Sequence, residues 1–215
     1  MQSIIESLKK LDKSDFYANA NLHIHTNHSD GVLSPMEVIE KAKEANLSLI
    51  SITDHNSIDA YKTIPYGDLG TLTVITGVEF DCWYKTNFIH ILGYGIDINN
   101  SKIQKLCAKR IIDTRLDLVR FFNTRKAGNV IKAIKDAGGI AVLAHPACCW
   151  NANIKKMLQE LKERGLEGLE VYYPYVGHRN IVKFHTINEI EQYAHELNLI
   201  ITGGTDCHST DIRGR

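Results

Sequence analysis

Nine side chains able to bind metal lie in or beside apolar runs: His23, His25, Asp30, His55, Glu79, His90, His145, Asp206 and His208. His23 and His25 stand two apart in Asn-Leu-His-Ile-His-Thr, residues 21–26. In a strand, residues two apart share a face, so the two rings point the same way. Neutral imidazole is the commonest metal ligand, and a buried strand has little reason to present two rings on one face unless something binds both. Six imidazoles and three carboxylates exceed the roughly four to six donors of one ion, water included, and suit two or three ions. Nitrogen and oxygen donors without thiolate favour Zn, Mn or Fe over Ca or Mg. Taken singly, each residue has a plainer reading. A lone buried histidine is usually a hydrogen-bonded core residue, and Asp54 or Asp206 could serve a turn.

The elements around these residues argue that they meet. Residues 20–25 read as a strand. Ser34-Pro35-Met36-Glu37 then starts a helix, with a capping box and proline at the first helical position, running to about Asn46. Residues 47–53 form a strand ending in Asp54-His55-Asn56, and strands follow at about 72–80 and 88–94. Residues 101–123 read as one helix with Ile103, Leu106, Ile111, Leu118 and Phe122 as its apolar stripe. A second helix, about 127–137, stops at Gly138-Gly139. The apolar run 140–144 delivers His145-Pro146; helices at about 153–164 and 186–197 alternate with strands 168–172 and 199–202. Strands alternating with helices, several of them wholly apolar, predict an α/β fold of parallel strands covered by helices. About seven strands predict a barrel or a barrel-like wrapped sheet. The carboxyl ends of parallel strands face one side, so ligands distant in sequence converge there.

Composition narrows the function. A chain of 215 residues is expected to form one domain, residues 1–215. Net charge is zero, with 25 basic and 25 acidic residues. That argues against a general nucleic-acid or membrane-surface binder. Five cysteines, three scattered and two adjacent at Cys148-Cys149, without Cys-x-x-Cys, fit reduced thiols. Cys82 and Cys207, beside ligands, read as packing residues. No signal-peptide pattern and no long apolar run is visible, which predicts a cytoplasmic protein without a membrane span. No protein partner is evident.

One stretch breaks the neutrality. Residues 102–126 hold eight Lys or Arg against Asp113 and Asp117. Arg110, Arg115 and Arg125 are candidates for phosphate binding, since arginine suits bidentate contact; the alternative is a solvated helix face. His178 and Arg179 follow a strand end and are candidates for leaving-group protonation and phosphate binding, or a plain surface loop. Tyr172, Tyr173 and Tyr175 either stack on a base or pack.

Six ordered motifs carry a family resemblance. His-Ile-His at 23–25 with Asp30-Gly31, Ile-Thr-Asp-His-Asn at 52–56, Gly-Val-Glu at 77–79, His-Ile-Leu-Gly at 90–93, Ala-His-Pro at 144–146 and Gly-Gly-Thr-Asp-Cys-His-Ser at 203–209 together resemble the PHP (polymerase and histidinol phosphatase) family. The resemblance spans about residues 19–209 and implies a distorted (β/α)7 barrel with a trinuclear site. It implies one ion on His23, His25, Glu79 and Asp206, a second sharing Glu79 and adding His90 and His145, and a third on Asp30, His55 and His208. Aspartate at 30, with Glu79 and His90 eleven residues apart, resembles the TrpH-like phosphoesterases. Such enzymes hydrolyse a small phosphorylated substrate, a nucleotide, nucleoside bisphosphate or oligonucleotide end, by in-line attack of a metal-bridging hydroxide. Glu79, Asp206, His208 and His178 are the expected catalytic residues. A histidinol-phosphate phosphatase and a non-catalytic metal-binding module are the alternatives. Relatives of this branch carry a long cap between the counterparts of His90 and His145. Here only 54 residues intervene, predicting a reduced helical cap at about 98–138 and leaving specificity the least transferable property.

Overall fold

The computed structural model describes residues 2–64, 69–175 and 183–213. Seven strands form one sheet in chain order: β1 (Ala20–Ile24), β2 (Leu49–Ile52), β3 (Thr73–Tyr84), β4 (Asn87–Tyr94), β5 (Ile140–Leu143), β6 (Gly168–Tyr172) and β7 (Ile200–Gly203). The strands are short and mostly apolar, and β1 and β5 are buried along their whole length. Each connection between parallel neighbours contains a helix, as a parallel crossover requires.

β4 is the exception to the expected parallel pattern. It runs antiparallel to β3 and to β5, while the other four pairs are parallel. The reason is local: β3 and β4 are joined by only two residues, Lys85 and Thr86, which permits a hairpin but no crossover. Residues 73–76 of β3 pair with β2, and residues 77–84 pair with β4. Gly77 sits at this change of partner; a Cβ there would run into Ser51 Oγ and come within 2.9 Å of the Ile52 carbonyl.

The sheet closes on itself just beyond β7. His25 N donates to the Cys207 carbonyl at 2.9 Å, and Cys207 N donates to the His23 carbonyl at 3.3 Å. Gly204 permits this approach, because a Cβ would collide with His23 Cβ and lie 2.5 Å from His23 N. The result is the distorted barrel expected of the family. Two helices that open the chain, α1 (Gln2–Lys9) and α2 (Lys13–Ala18), contribute Leu8 and Phe16 to an apolar cluster with Leu22, Leu92, Tyr94 and Val142.

The outer layer follows the sequence closely in places. α3 (Pro35–Glu44) begins at the predicted capping box: Ser34 Oγ accepts from Glu37 N, and Glu37 accepts from Ser34 N. It buries Val38, Ile39 and Ala42 against β1 and β2, beside the short α4 (Ala60–Thr63). The expected single helix over 101–123 is instead three pieces, α5 (Ser101–Leu106), α6 (Ile112–Arg115) and α7 (Asp117–Phe121). Leu116 is extended, with φ −102° and ψ 116°. Contacts to other loops compete with helical pairing here. Ala108 N donates to the Asn56 carbonyl, and Arg115 to the carbonyls of Asn27 and Ser29. α8 (Ala127–Asp136), α9 (Ile154–Glu163) and α10 (Ile187–Glu196) then cover β3 to β7 through the largest apolar cluster. Among the described residues, no helix is long and apolar enough to cross a membrane.

Candidate metal centre

Histidines and carboxylates from six strands and their following loops converge where the parallel strands end. His23 lies in β1 and His25 directly after it; His55 follows β2; Glu79 lies in β3; His145 follows β5; Asp206 and His208 follow β7. His90 reaches the same end because β4 is reversed, so its early residues stand opposite the late residues of β3; His90 pairs in register with Asp81.

His23 Nε2, His25 Nε2, Glu79 Oε2 and Asp206 Oδ1 make the tightest group. The two nitrogens are 3.1 Å apart. His23 Nε2 lies 3.3 Å from both oxygens, and His25 Nε2 lies 3.2 Å from Glu79 and 3.0 Å from Asp206. Four donors bound tetrahedrally at ~2.0 Å would stand ~3.3 Å from one another. The spacing therefore fits an ion of zinc size. Glu79 also meets His55 Nδ1 at 3.2 Å, His90 Nδ1 at 2.9 Å and His145 Nε2 at 3.3 Å, so one carboxylate faces five imidazoles. His25, Asp30, His55 and His208 form a further group, with His208 Nε2 3.1 Å from Asp30 Oδ1. All nine expected ligand residues thus gather in one place. The grouping differs in detail from the expected one: His25 stands in two clusters, and His55 offers Nδ1 to Glu79 and Nε2 towards Asp30 at 3.9 Å.

Two carboxylates inside apolar strands join the centre without having been expected from sequence. Glu170 of β6 is fully buried; it accepts from His23 Nδ1 at 2.9 Å and from His145 N at 2.9 Å. That contact leaves His23 Nε2 as the free donor to the cluster. Asp81, also fully buried, lies 3.1 Å from His55 Nδ1 and 3.2 Å from His90 Nε2, and its other oxygen accepts from Asn56 Nδ2. The signal is present in Gly-Val-Glu-Phe-Asp and Gly-Leu-Glu-Val: an acid in a buried apolar strand needs a partner. Asp54 serves the turn after β1, accepting from Thr26 N, Thr26 Oγ1 and Ser29 Oγ. The tyrosines pack. Tyr173 and Tyr175 are buried, and Tyr173 donates to Asp206 Oδ2 at 2.8 Å.

Two of the expected ligand residues are among the six non-glycine residues with positive φ in the described structure. His145 has φ 30° and Asp206 has φ 49°, left-handed conformations uncommon for residues other than glycine. Both carry cluster atoms, where strained backbone tends to collect.

The charges are mutually dependent. Burial disfavours protonation of His23, His25 and His90, but the surrounding carboxylates outweigh it. His25 and His90 are raised to about 9, and His23 is raised well above its ordinary value. Burial opposes ionisation of Glu79, yet the histidines hold it well below the usual range. Asp30 is likewise brought down to about 2 by His208, His25 and Arg120 against its burial. For Asp81 burial wins, pushing it up to about 6. His208 is lowered by burial and by His25; its Nδ1–H donates to the Asp206 carbonyl at 2.7 Å, which leaves the Nε2 lone pair facing the cluster 3.1 Å from Asp30. Without a metal, protons neutralise this cluster; a divalent ion would take their place.

A cavity of 240 Å³ opens over the cluster, lined by Glu79, His90, His145 and Asp206 together with Phe88 and Arg120. Arg120 is buried, with Nη1 3.5 Å from Asp30 and Nε 3.9 Å from Asp81; its Nη2 pairs with Asp117. Among the expected phosphate binders, Arg115 is spent on backbone carbonyls, Arg110 pairs with Asp113 at 2.6 Å, and Arg125 donates to the Leu106 carbonyl at 2.7 Å. Arg120, not singled out by sequence, is the arginine nearest the cluster among the described residues. His178 and Arg179 lie outside the described residues.

The chain is similar to known proteins. The chain is 31% identical over 104 residues to the 5'-3' exoribonuclease Rnm of Salmonella typhimurium, covering 46% of this chain and 35% of that one. It is 34% identical over 89 residues to a 3',5'-nucleoside bisphosphate phosphatase of Chromobacterium violaceum, covering 37% and 28%. The matched region therefore spans about a third of the length of these curated relatives. A Bifidobacterium adolescentis protein assigned as a metal-dependent phosphoesterase has the same fold, with a TM-score of 0.66 at 19% identity, over 92% of this chain and 89% of that one. The profile of the PHP domain matches residues 21–202, most of the chain. The chain belongs to the PHP domain family.

Proposed function

We propose that the protein is a metal-dependent phosphoesterase that hydrolyses a terminal phosphate ester of a nucleotide, nucleoside bisphosphate or oligonucleotide. The observation that carries this reading is the set of donor atoms around Glu79, spaced 3.0 to 3.3 Å apart at the floor of an accessible cavity. His23, His25, Glu79 and Asp206 would hold one divalent ion, Glu79, His90 and His145 a second, and Asp30, His55 and His208 a third. Zn, Mn and Fe suit the donor set. When bound, such ions supply a water-derived nucleophile at neutral pH and neutralise phosphate charge.

The chain's own residues do the rest. Glu170 fixes the tautomer of His23, and Asp81 faces the rings of His55 and His90. Tyr173 holds Asp206 through its outer oxygen. Arg120 places a permanent positive charge at the cavity wall, suited to a phosphate oxygen. The names of the relatives, one acting on nucleoside bisphosphates and one on RNA, support phosphorylated nucleotides over histidinol phosphate. Retention of all nine donors supports catalysis over a purely structural metal module.

The test is a metal-content assay joined to a screen of nucleotides, nucleoside 3',5'-bisphosphates, short oligonucleotides and histidinol phosphate. We expect at least two ions per chain and hydrolysis that chelator removes. Glu79→Gln and Asp206→Asn should each lower turnover about a hundredfold or more, because each contacts several ligands. Full activity in either variant, or in metal-free protein, would contradict the reading.

A further inference from the structure

A second cavity, of 860 Å³, adjoins the metal pocket. Lys105, Lys109, Arg110, Arg120, Arg125 and Lys126 line it, and Asp113 is the one acid among its lining residues. Arg120 lines both cavities, so the basic surface begins at the wall of the cluster pocket. Arg110 is paired with Asp113, but Lys105, Lys109 and Lys126 are exposed and form no ion pair among the described residues. This is a strong local field in a chain whose net charge is zero.

Aromatic rings follow the same route. Phe88 lines the metal pocket, and Phe122 lines the basic cavity. Phe121 stands between them, its ring centre 5.3 Å from that of Phe88 and 5.7 Å from that of Phe122. Phe121 and Phe122 are 44% and 74% exposed, although such rings are normally buried. Trp83 supports the row from behind: its ring meets Phe121 edge-on at 4.9 Å, and its indole N–H donates to the Phe121 carbonyl. Cations along a groove, with aromatic faces beside them, are how single-stranded nucleic acid is held without regard to sequence.

We propose that the basic cavity is a subsite for the sugar-phosphate backbone of a short single-stranded oligonucleotide, its terminal phosphate lying in the metal pocket and its bases stacking on Phe121 and Phe122. This deepens the proposed function and rests on it for the position of the terminal phosphate. The volumes favour it. The metal pocket, at 240 Å³, holds little more than the reacting end of a substrate. The adjoining 860 Å³ exceeds what the nucleoside of a mononucleotide needs and accommodates further residues of a chain. The exposed rings favour nucleic acid over an acidic peptide, which would use the cations alone.

The test compares 5'-phosphorylated single strands of one to six nucleotides with the metal-loaded protein. Fluorescence anisotropy of labelled strands, in the presence of each divalent ion, reads binding whether or not hydrolysis occurs. Affinity is expected to rise with length and then level off. For the variant with Lys105, Lys109 and Lys126 all changed to Glu, the slope of log affinity against log salt becomes shallower by about 0.7 for each phosphate that the protein no longer neutralises. Phe122→Ala should weaken binding about tenfold at every length beyond the first nucleotide. The ratio of kcat/KM for a tetranucleotide over a mononucleotide should fall in both variants, a comparison internal to each protein and so insensitive to partial misfolding. Length-independent affinity, an unchanged ratio, or equal displacement of the strand by polyglutamate overturns the subsite. Hydrolysis of mononucleotides without any length dependence leaves the phosphoesterase reading standing and sinks only this inference. Binding that grows with length but no hydrolysis with any metal does the reverse.

Discussion

Glu170 lines neither the metal pocket nor the basic cavity and carries no sequence motif, yet it decides which nitrogen His23 offers to the cluster. A carboxylate behind a ligating histidine fixes ring orientation and raises ligand basicity, and its loss costs roughly 10- to 100-fold in metal affinity. Glu170→Gln should show a loss of that size in competition with a chelator, while far-UV circular dichroism stays unchanged. Unaltered affinity would mean that the barrel walls alone position His23. Residues of the Glu170 and Asp81 kind are harder to read than the ligands. The ligands announce themselves by pairing, as in His-Ile-His, or by ending a strand. Glu170 and Asp81 lie inside strands whose neighbours are apolar, and only the three-dimensional proximity of rings from other strands gives them a partner. Arg120 is one of eight cations in a basic run, and nothing in its spacing distinguishes it from Arg115, which holds a loop.

At the level of elements, the barrel closes through a contact that tolerates no side chain. Gly204→Ala would force its Cβ against His23, and either β1 or the segment after β7 must shift. Overpacking of this kind costs about 1–3 kcal/mol. The melting temperature should therefore drop by roughly 2–10 °C in a chain of this size. Metal retention should fall with it, since Asp206 and His208 move with Gly204; an alanine variant with wild-type melting and metal content would show that the closure is loose. The alternation of strand and helix is legible because apolar runs and caps recur along the chain, as at Ser34. The reversal of β4 is not legible in the strand pattern, although the short connection at Lys85-Thr86 carries it. The breaks in the helical run over 101–121 are hidden for a different reason. The apolar stripe is real in sequence, but Ile111, Leu118 and Phe122 face solvent instead of a core, and loop carbonyls capture the residues between.

For the whole molecule, the cluster links folding, protons and metal. The folded values of His25 and His90, about 9, exceed the unfolded value near 6.5. Their contribution to stability is therefore fully present below about pH 6.5 and is lost as pH rises through 9. Glu79 and Asp30 shift downwards, so their contribution is present above about pH 4.3 and fades as pH falls through their folded values. Metal-free protein should be most stable between these limits, and urea titrations from about pH 2 to about pH 10 would reveal the decline on each side. Metal requires unprotonated rings, so its affinity should instead rise between pH 6.5 and 9, with protons released on binding. Calorimetry in buffers of different ionisation enthalpy measures that release; none at pH 7 would mean the rings are already neutral.

The closure between His25 and Cys207 also sets an order in time. Glu79, Asp81 and His90 share one hairpin and lie within eleven residues of one another. Such local contacts form early, at small loop entropy. His25 and Cys207 are separated by most of the chain, and their contact must come late. The proposed metal centre would draw ligands from both, so its donors are half assembled in the nascent hairpin and complete only when these distant segments meet. A bound ion would then act mainly on the completed state, slowing the unfolding limb of a chevron while leaving the refolding limb nearly unmoved. Equal effects of zinc on both limbs in stopped-flow measurements would place closure before the rate-limiting step. If closure is late, the ion works as a latch on a finished barrel rather than as a seed for building it.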